Sequence, residues 1–193
     1  VEGLPVSTDS EFGGGTSPDD NDNSGSLKYV RIEFGGYPYQ PNQEINGLTM
    51  GAVGRGTSLE YIQVSFGFDD AFEWFGGTVN AKYLVSYRNL DDDFDTDNGF
   101  SGKVQFGLGI RDQGIADQSG SNGFESDNDA NGSSNVPVTS AQFSNMTILG
   151  GKATVGTSLN GQFQNGAQIR RNSEIDIYNS IITAYPNGIF IDG

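Results

Sequence analysis

The sequence predicts an all-β chain wound as a parallel β-helix, and three observations carry that reading. Glycine is abundant, 29 of 193 residues, and the apolar residues arrive in short bursts of Val, Ile, Leu, Phe and Tyr, the composition of strands joined by turns. No stretch holds an apolar stripe at helical spacing, so little helix is expected. The strand-like segments also repeat. LKYVRIEF (27–34), LEYIQVSF (59–66) and AKYLVSYR (81–88) align with Tyr29, Tyr61 and Tyr83 in register.

Each of these segments alternates apolar and polar residues, as a strand buried on one face does. AQFSNMTI (141–148) and IDIYNSII (175–182) are looser copies. The second half of the unit repeats as GLTMGAVG (47–54), FEWFGGTV (72–79) and FDTDNGFS (94–101), each a short strand running into a glycine turn. A spacing of 22 residues carries Tyr61 to Tyr83, Asp69 to Asp91, Phe72 to Phe94 and Gly77 to Gly99. Strand repeats of that length, with no helix, point to a solenoid in which equivalent residues of successive coils stack. An antiparallel sandwich has similar strands but no reason for the register. Coils of about 22 residues leave residues 35–46 and 112–135 as longer loop insertions, and Asn145 and Asn179 as rungs of a stacked asparagine ladder. The whole of 1–193 reads as one domain. Its abrupt start at Val1 and its end at IFIDG read as a piece of a longer solenoid whose export signal is absent.

Charge and composition narrow the chemistry. The net charge is −15 with no basic cluster, which argues against nucleic acid or an anionic membrane as partner and suits a divalent cation, a neutral glycan or a basic surface. Cysteine and histidine are both absent. That removes disulfides, thiolate zinc sites, imidazole bases and Ser-His-Asp triads. No apolar run has membrane-spanning length.

The 22-residue register turns the acidic run DDDFDTD (91–97) into one rung of a column. Asp69 lies beneath Asp91, Asp70 beneath Asp92 and Glu73 beneath Asp95, while Phe124–Glu125 continues Phe72–Glu73 and Phe94–Asp95. Alternation puts the phenylalanines inward and the acids outward, Asp93 among them. Two carboxylates about 4.8 Å apart repel by roughly 1 kcal/mol in water and about 3 kcal/mol at intermediate dielectric, so the column needs something to offset it. Calcium, which takes six to eight oxygens in irregular loops, is the expected cofactor, with Asp69, Asp70, Glu73, Asp91, Asp92, Asp93, Asp95 and Asp97 as ligands. The run lacks the helices and terminal Glu of an EF-hand. An enzyme reading uses the same face for glycosidic cleavage or lyase chemistry, with Asp70 and Asp92 as acid and base and Arg88 or Arg111 as proton acceptor. Trp74, Tyr37 and Tyr39 are the candidate aromatic contacts for a sugar.

The segments VEGLP, GGTSPDDN, SGSLKYVRIEFGG, EINGLTMGAVGRGT, DDAFEWFGGTVNAKY and DDDFDTDNGFSGKVQF, over roughly residues 1–151, resemble a family of surface lipoproteins of Bacteroidota-type bacteria, often labelled "multidrug transporter". The resemblance implies a right-handed parallel β-helix of pectin-lyase-like architecture, exported and displayed at the outer-membrane surface or outside the cell. It lends no catalytic residue, and the Gly-His-Gly motif of polygalacturonases has no counterpart here. The expectation is a structural or recognition protein that is calcium-stabilised and binds a glycan or another cell-surface component. A polysaccharide lyase or glycosidase is the alternative, and a rigid spacer that self-associates end to end or side by side is the third reading.

Overall fold

The computed structural model describes residues 7–36 and 45–192. After a single 3₁₀ turn at Thr8–Ser10, these residues form strands β1 (Ser26–Glu33), β2 (Leu48–Gly51), β3 (Ser58–Ser65), β4 (Phe72–Phe75), β5 (Asn80–Tyr87), β6 (Phe94–Asp97) and β7 (Lys103–Ile110). They continue as β8 (Phe124–Ser126), β9 (Gln142–Ser144), β10 (Thr147–Leu149), β11 (Asn165–Arg170), β12 (Asp176–Tyr178), β13 (Ile181–Thr183) and β14 (Asn187–Asp192). Among the described residues no helix is long and apolar enough to cross a membrane.

The strands fall into two parallel sheets, visited alternately by the chain. One runs β1-β3-β5-β7-β10-β13, with β9 and β12 attached, and the other runs β2-β4-β6-β8-β11-β14. Each circuit therefore adds one strand to each sheet, which is how a β-helix is built. The three segments that align in sequence are β1, β3 and β5, and they pair with Leu27, Leu59 and Ala81 in one column. The step is 22 residues where Ser58 meets Asn80, Phe72 meets Phe94 and Asn165 meets Asn187. It lengthens to 30 where Phe94 meets Phe124 and to 43 where Phe124 meets Ala167, because loops bulge from the corners.

Two details depart from the sequence reading. Residues 112–135 are not one loop, since β8 crosses the segment and docks beside β6. The copy at 141–148 is shifted by two residues: the Leu27 column passes through Val104 to Phe143, not Ala141. Strands β7, β11 and β14 also lie outside the repeats read from the sequence, although KVQFGLGI in β7 does alternate, with Val104, Phe106, Leu108 and Ile110 at every second position.

Stacking builds the core. Phe72, Phe94 and Phe124 sit above one another with ring centroids 5.6 and 5.5 Å apart, all fully buried. Ile62, Val64, Leu84 and Ile148 face them from the first sheet. Each such side chain removed from water contributes about 1.5–3 kcal/mol. The first sheet bends at a corner marked by left-handed backbone at Tyr29, Tyr61, Tyr83, Phe106, Asn145 and Asn179, with φ between 44° and 61°. In the last two coils that corner splits the strand outright, so β7 pairs with β9 before it and β10 after it.

Candidate functional site: an acidic groove across the coils

The acids gather because the register puts them there. Glu73, Asp95 and Glu125 are direct neighbours across β4, β6 and β8, one residue after the inward phenylalanines. In the turns before these strands Asp70, Asp92 and Asn122 occupy one column, which Asn165 and Asn187 continue as the first residues of β11 and β14. The Asp92 N–H donates to Asp70 Oδ1 at 2.7 Å and the Asn122 N–H donates to Asp92 Oδ1. The Asn165 N–H then donates to Asn122 Oδ1 at 3.1 Å, and Asn187 Nδ2 donates to Asn165 Oδ1 at 3.1 Å. This is an asparagine ladder in which two successive rungs are aspartate. A carboxylate can accept the next coil's N–H as an amide does, but it has no N–H of its own to give.

Asp70, Glu73, Asp92, Asp95 and Glu125 line a groove of about 630 Å³ that also admits Asp69, Asp91 and Asp97, with Gln168, Arg170 and Arg171 at its far end. Two sets of three carboxylates, Asp69/Asp70/Asp91 and Asp70/Glu73/Asp95, each bring one oxygen per residue within 4.8 Å of the others. Asp70 belongs to both. Asp91 Oδ1 and Asp95 Oδ1 are buried without a hydrogen-bond partner among the described residues.

Such crowding moves the acidities. Burial, then the charges of Asp95 and Asp92, pushes Asp70 well above the usual carboxylate range. Asp92 rises likewise through burial and its neighbours Asp91 and Glu125, and Asp95 through burial, Glu125 and Asp92. Asp91 is raised to about 7 by burial, against the opposing hydrogen bond from Ser119. Asp97 also reaches about 7, through burial and the charge of Asp127. At the other end Arg170 pairs with Glu125 and with Asp127 at 2.9 Å, and Arg171 with Asp127 at 2.7 Å. The basic pair Arg170–Arg171 was missed in the sequence, because its partners lie more than 40 residues away across an irregular insertion.

Four expected site residues do not line the groove. Asp93 points into the molecule, not outward, and is completely buried. It precedes β6, where strand alternation has not begun, and it occupies a corner column otherwise held by Ala71 and Gly123. Inside, it accepts from Ser86 and pairs with Arg111 at 3.4 Å. Arg111 is correspondingly withdrawn from any substrate. Its guanidinium donates to the carbonyls of Asp91 and, at 3.0 Å, Leu90, and lies over the Phe163 ring. It clamps the aspartate turn from beneath. Arg88 pairs with Asp112 and packs over Phe66, away from the groove. Trp74 is 0 % exposed and stacks on Phe100 in the core, so no sugar reaches it. Its register partners are Met50 and Thr96, both inward. Tyr37 and Tyr39 lie outside the described residues. The arrangement that remains gathers Asp69, Asp70, Glu73, Asp91, Asp92, Asp95 and Asp97 along one groove, the oxygen-rich donor set that a hard divalent ion takes.

Neither the curated proteins nor the solved structures contain a match to this chain. The family model described as the pectate-lyase like beta helix domain matches residues 6–193, and with nearly the whole length covered the chain belongs to that family.

Proposed function

We propose that the chain is a surface-displayed β-helix module with a recognition role, wound right-handed, whose acidic groove holds a divalent cation, calcium first, that ties neighbouring coils together. The observation that carries this is the pair of carboxylate triads sharing Asp70. Their members come from consecutive circuits, so an ion seated there would cancel repulsion that the register itself creates. Calcium suits the set because it takes six to eight oxygens in irregular geometry. The right-handed sense follows the usual hand of connections between parallel strands. Extracellular display fits a cation whose free concentration is high outside cells and a domain with no cysteine to protect.

The lyase form of the enzyme alternative is without either arginine expected as its base, because Arg111 lies beneath the groove and Arg88 outside it, whereas Asp70 and Asp92, the acid and base of the glycosidase form, line the groove. Fold kinship alone does not restore an activity. Thermal unfolding with saturating calcium and with chelator tests the proposal. At a hundredfold excess over Kd the ion should add about 2.7 kcal/mol, roughly 5–10 °C in melting temperature. Identical curves, together with no heat of binding in a calcium titration, would refute it.

A further inference from the structure

A second groove, sharing no residue with the acidic one, runs along the bend of the first sheet and encloses about 690 Å³. Its wall is the corner column Tyr29, Tyr61, Tyr83 and Phe106. The rings stack with centroids 4.7, 4.5 and 5.2 Å apart and planes within 11° of parallel. All four are exposed, from 39 % at Tyr83 to 77 % at Tyr29. All four also hold left-handed backbone, φ 56–61°, which is uncommon for a bulky side chain and carries a conformational penalty.

The same column is built without that penalty one and two coils later. Asn145 and Asn179 take the corner at φ 56° and 44°, and their amides bond to each other. Asparagine tolerates this conformation. The corner needs only a residue that accepts left-handed backbone, which asparagine supplies; four consecutive aromatics there add a strip of exposed ring surface that the core does not use.

We infer that this strip binds a neutral, linear polysaccharide laid along the solenoid axis. Charge selects the occupant. Both acids on this face are matched, Glu60 by Lys28 at 3.3 Å and Glu33 by Arg31, and Lys82 stands next to Glu60 in the same column. What faces the groove is tyrosine hydroxyls, the Gln63 and Asn145 amides, the Thr147 hydroxyl, the apolar floor of Val85 and Leu108 and, at one end, the Arg31 guanidinium neutralised by Glu33. Hydroxyl-rich chains with apolar C–H edges match that mixture of donors, acceptors and apolar surface, and a chain net charge of −15 repels acidic polymers. Geometry selects the shape. The groove crosses five successive rungs about 4.8 Å apart, roughly 19 Å in all, so it presents the same contacts repeatedly along a line, as a repeating polymer requires.

The test is affinity electrophoresis of the whole chain in gels containing soluble β-1,4-glucan, mannan, xylan or an α-glucan, with polygalacturonate for comparison, each run in calcium and in chelator. The inference expects retardation by at least one neutral polymer, unchanged by chelator, and at least tenfold weaker binding in a Tyr61→Asn/Tyr83→Asn variant. Because those asparagines copy Asn145 and Asn179, the variant should melt at or near the parent temperature. Should it unfold, Gln63→Ala/Thr147→Ala, on the groove floor, replaces it with the same expectation. Mobility unaffected by every neutral polymer, or retardation that survives the variants, would overturn the inference. Retardation by polygalacturonate alone would also overturn it and would direct attention to the acidic groove. A concentration-dependent dimer in sedimentation velocity, abolished by Tyr61→Asn/Tyr83→Asn, would overturn it in favour of a second copy of this chain.

Discussion

The acidic column on β4, β6 and β8 and the aromatic column on β1, β3, β5 and β7 are products of one geometry with opposite energetic sign. A parallel register sets like upon like at about 4.8 Å. For Tyr61 and Tyr83 that spacing is ring-stacking distance and is worth about 0.5–1.5 kcal/mol per pair, which offsets the cost of their left-handed backbone. For Asp95 and Glu125 the same spacing is repulsive, and burial in the groove amplifies it. A solenoid thus multiplies whatever side chain it repeats. One column holds itself together, and the other calls for a partner from outside.

The largest effect is expected from removing Arg111, the buried cation beneath the acids. Arg111→Met leaves Asp93 buried without its counter-charge and frees the carbonyls of Leu90 and Asp91. A loss of about 3–5 kcal/mol in urea unfolding is expected. Adding Asp93→Leu should recover part of it, whereas a loss below about 1 kcal/mol would show that the clamp is not what shapes the turn.

Next in size is the pH response without calcium. Asp70, Asp92 and Asp95 are raised well above the ordinary range, and Asp91 and Asp97 to about 7. The folded chain then keeps protons that the unfolded chain has released. Stability from these groups is complete below an unfolded pKa of about 4 and is lost as pH climbs through about 7 and above. In chelator, melting at pH 8 should fall below melting at pH 5.5 by about 2 kcal/mol or more, roughly 4–8 °C. Calcium should close much of that gap. A melting temperature that rises with pH would contradict the picture.

The smallest effect sharpens the comparison by making the acidic column resemble its own continuation. Asp70→Asn/Asp92→Asn extends the ladder that Asn122, Asn165 and Asn187 already form. At pH 8 in chelator the variant should gain about 1–2 kcal/mol, and the calcium-dependent shift in melting temperature should vanish. Retention of that shift would place the ion elsewhere.

The strands β1 to β6 and the pairing of Glu73 with Asp95 were legible because a 22-residue coil without insertions leaves its register in the sequence itself. Phe72 and Phe94 were read as inward and are. Where loops lengthen the circuit, as between Phe124 and Ala167, the register is no longer readable, and so Arg170 and Arg171 were missed. Trp74 illustrates a different limit. In FEWF, alternation requires Phe72 and Trp74 to share a side, yet a lone tryptophan beside acids was assigned to a ligand.

By itself, the sequence determined a β-helix, the stacking of acid on acid and aromatic on aromatic, and the exclusion of cysteine and histidine chemistry. These depend on residue type and on period, both of which are written along the chain. Only the tertiary structure decided that Asp93 turns inward to Arg111, that Trp74 is sealed in the core, that the tyrosines hold left-handed corners, and that Asp70 joins two triads. Those outcomes depend on backbone direction at turns and on contacts between coils, where short-range alternation carries no information.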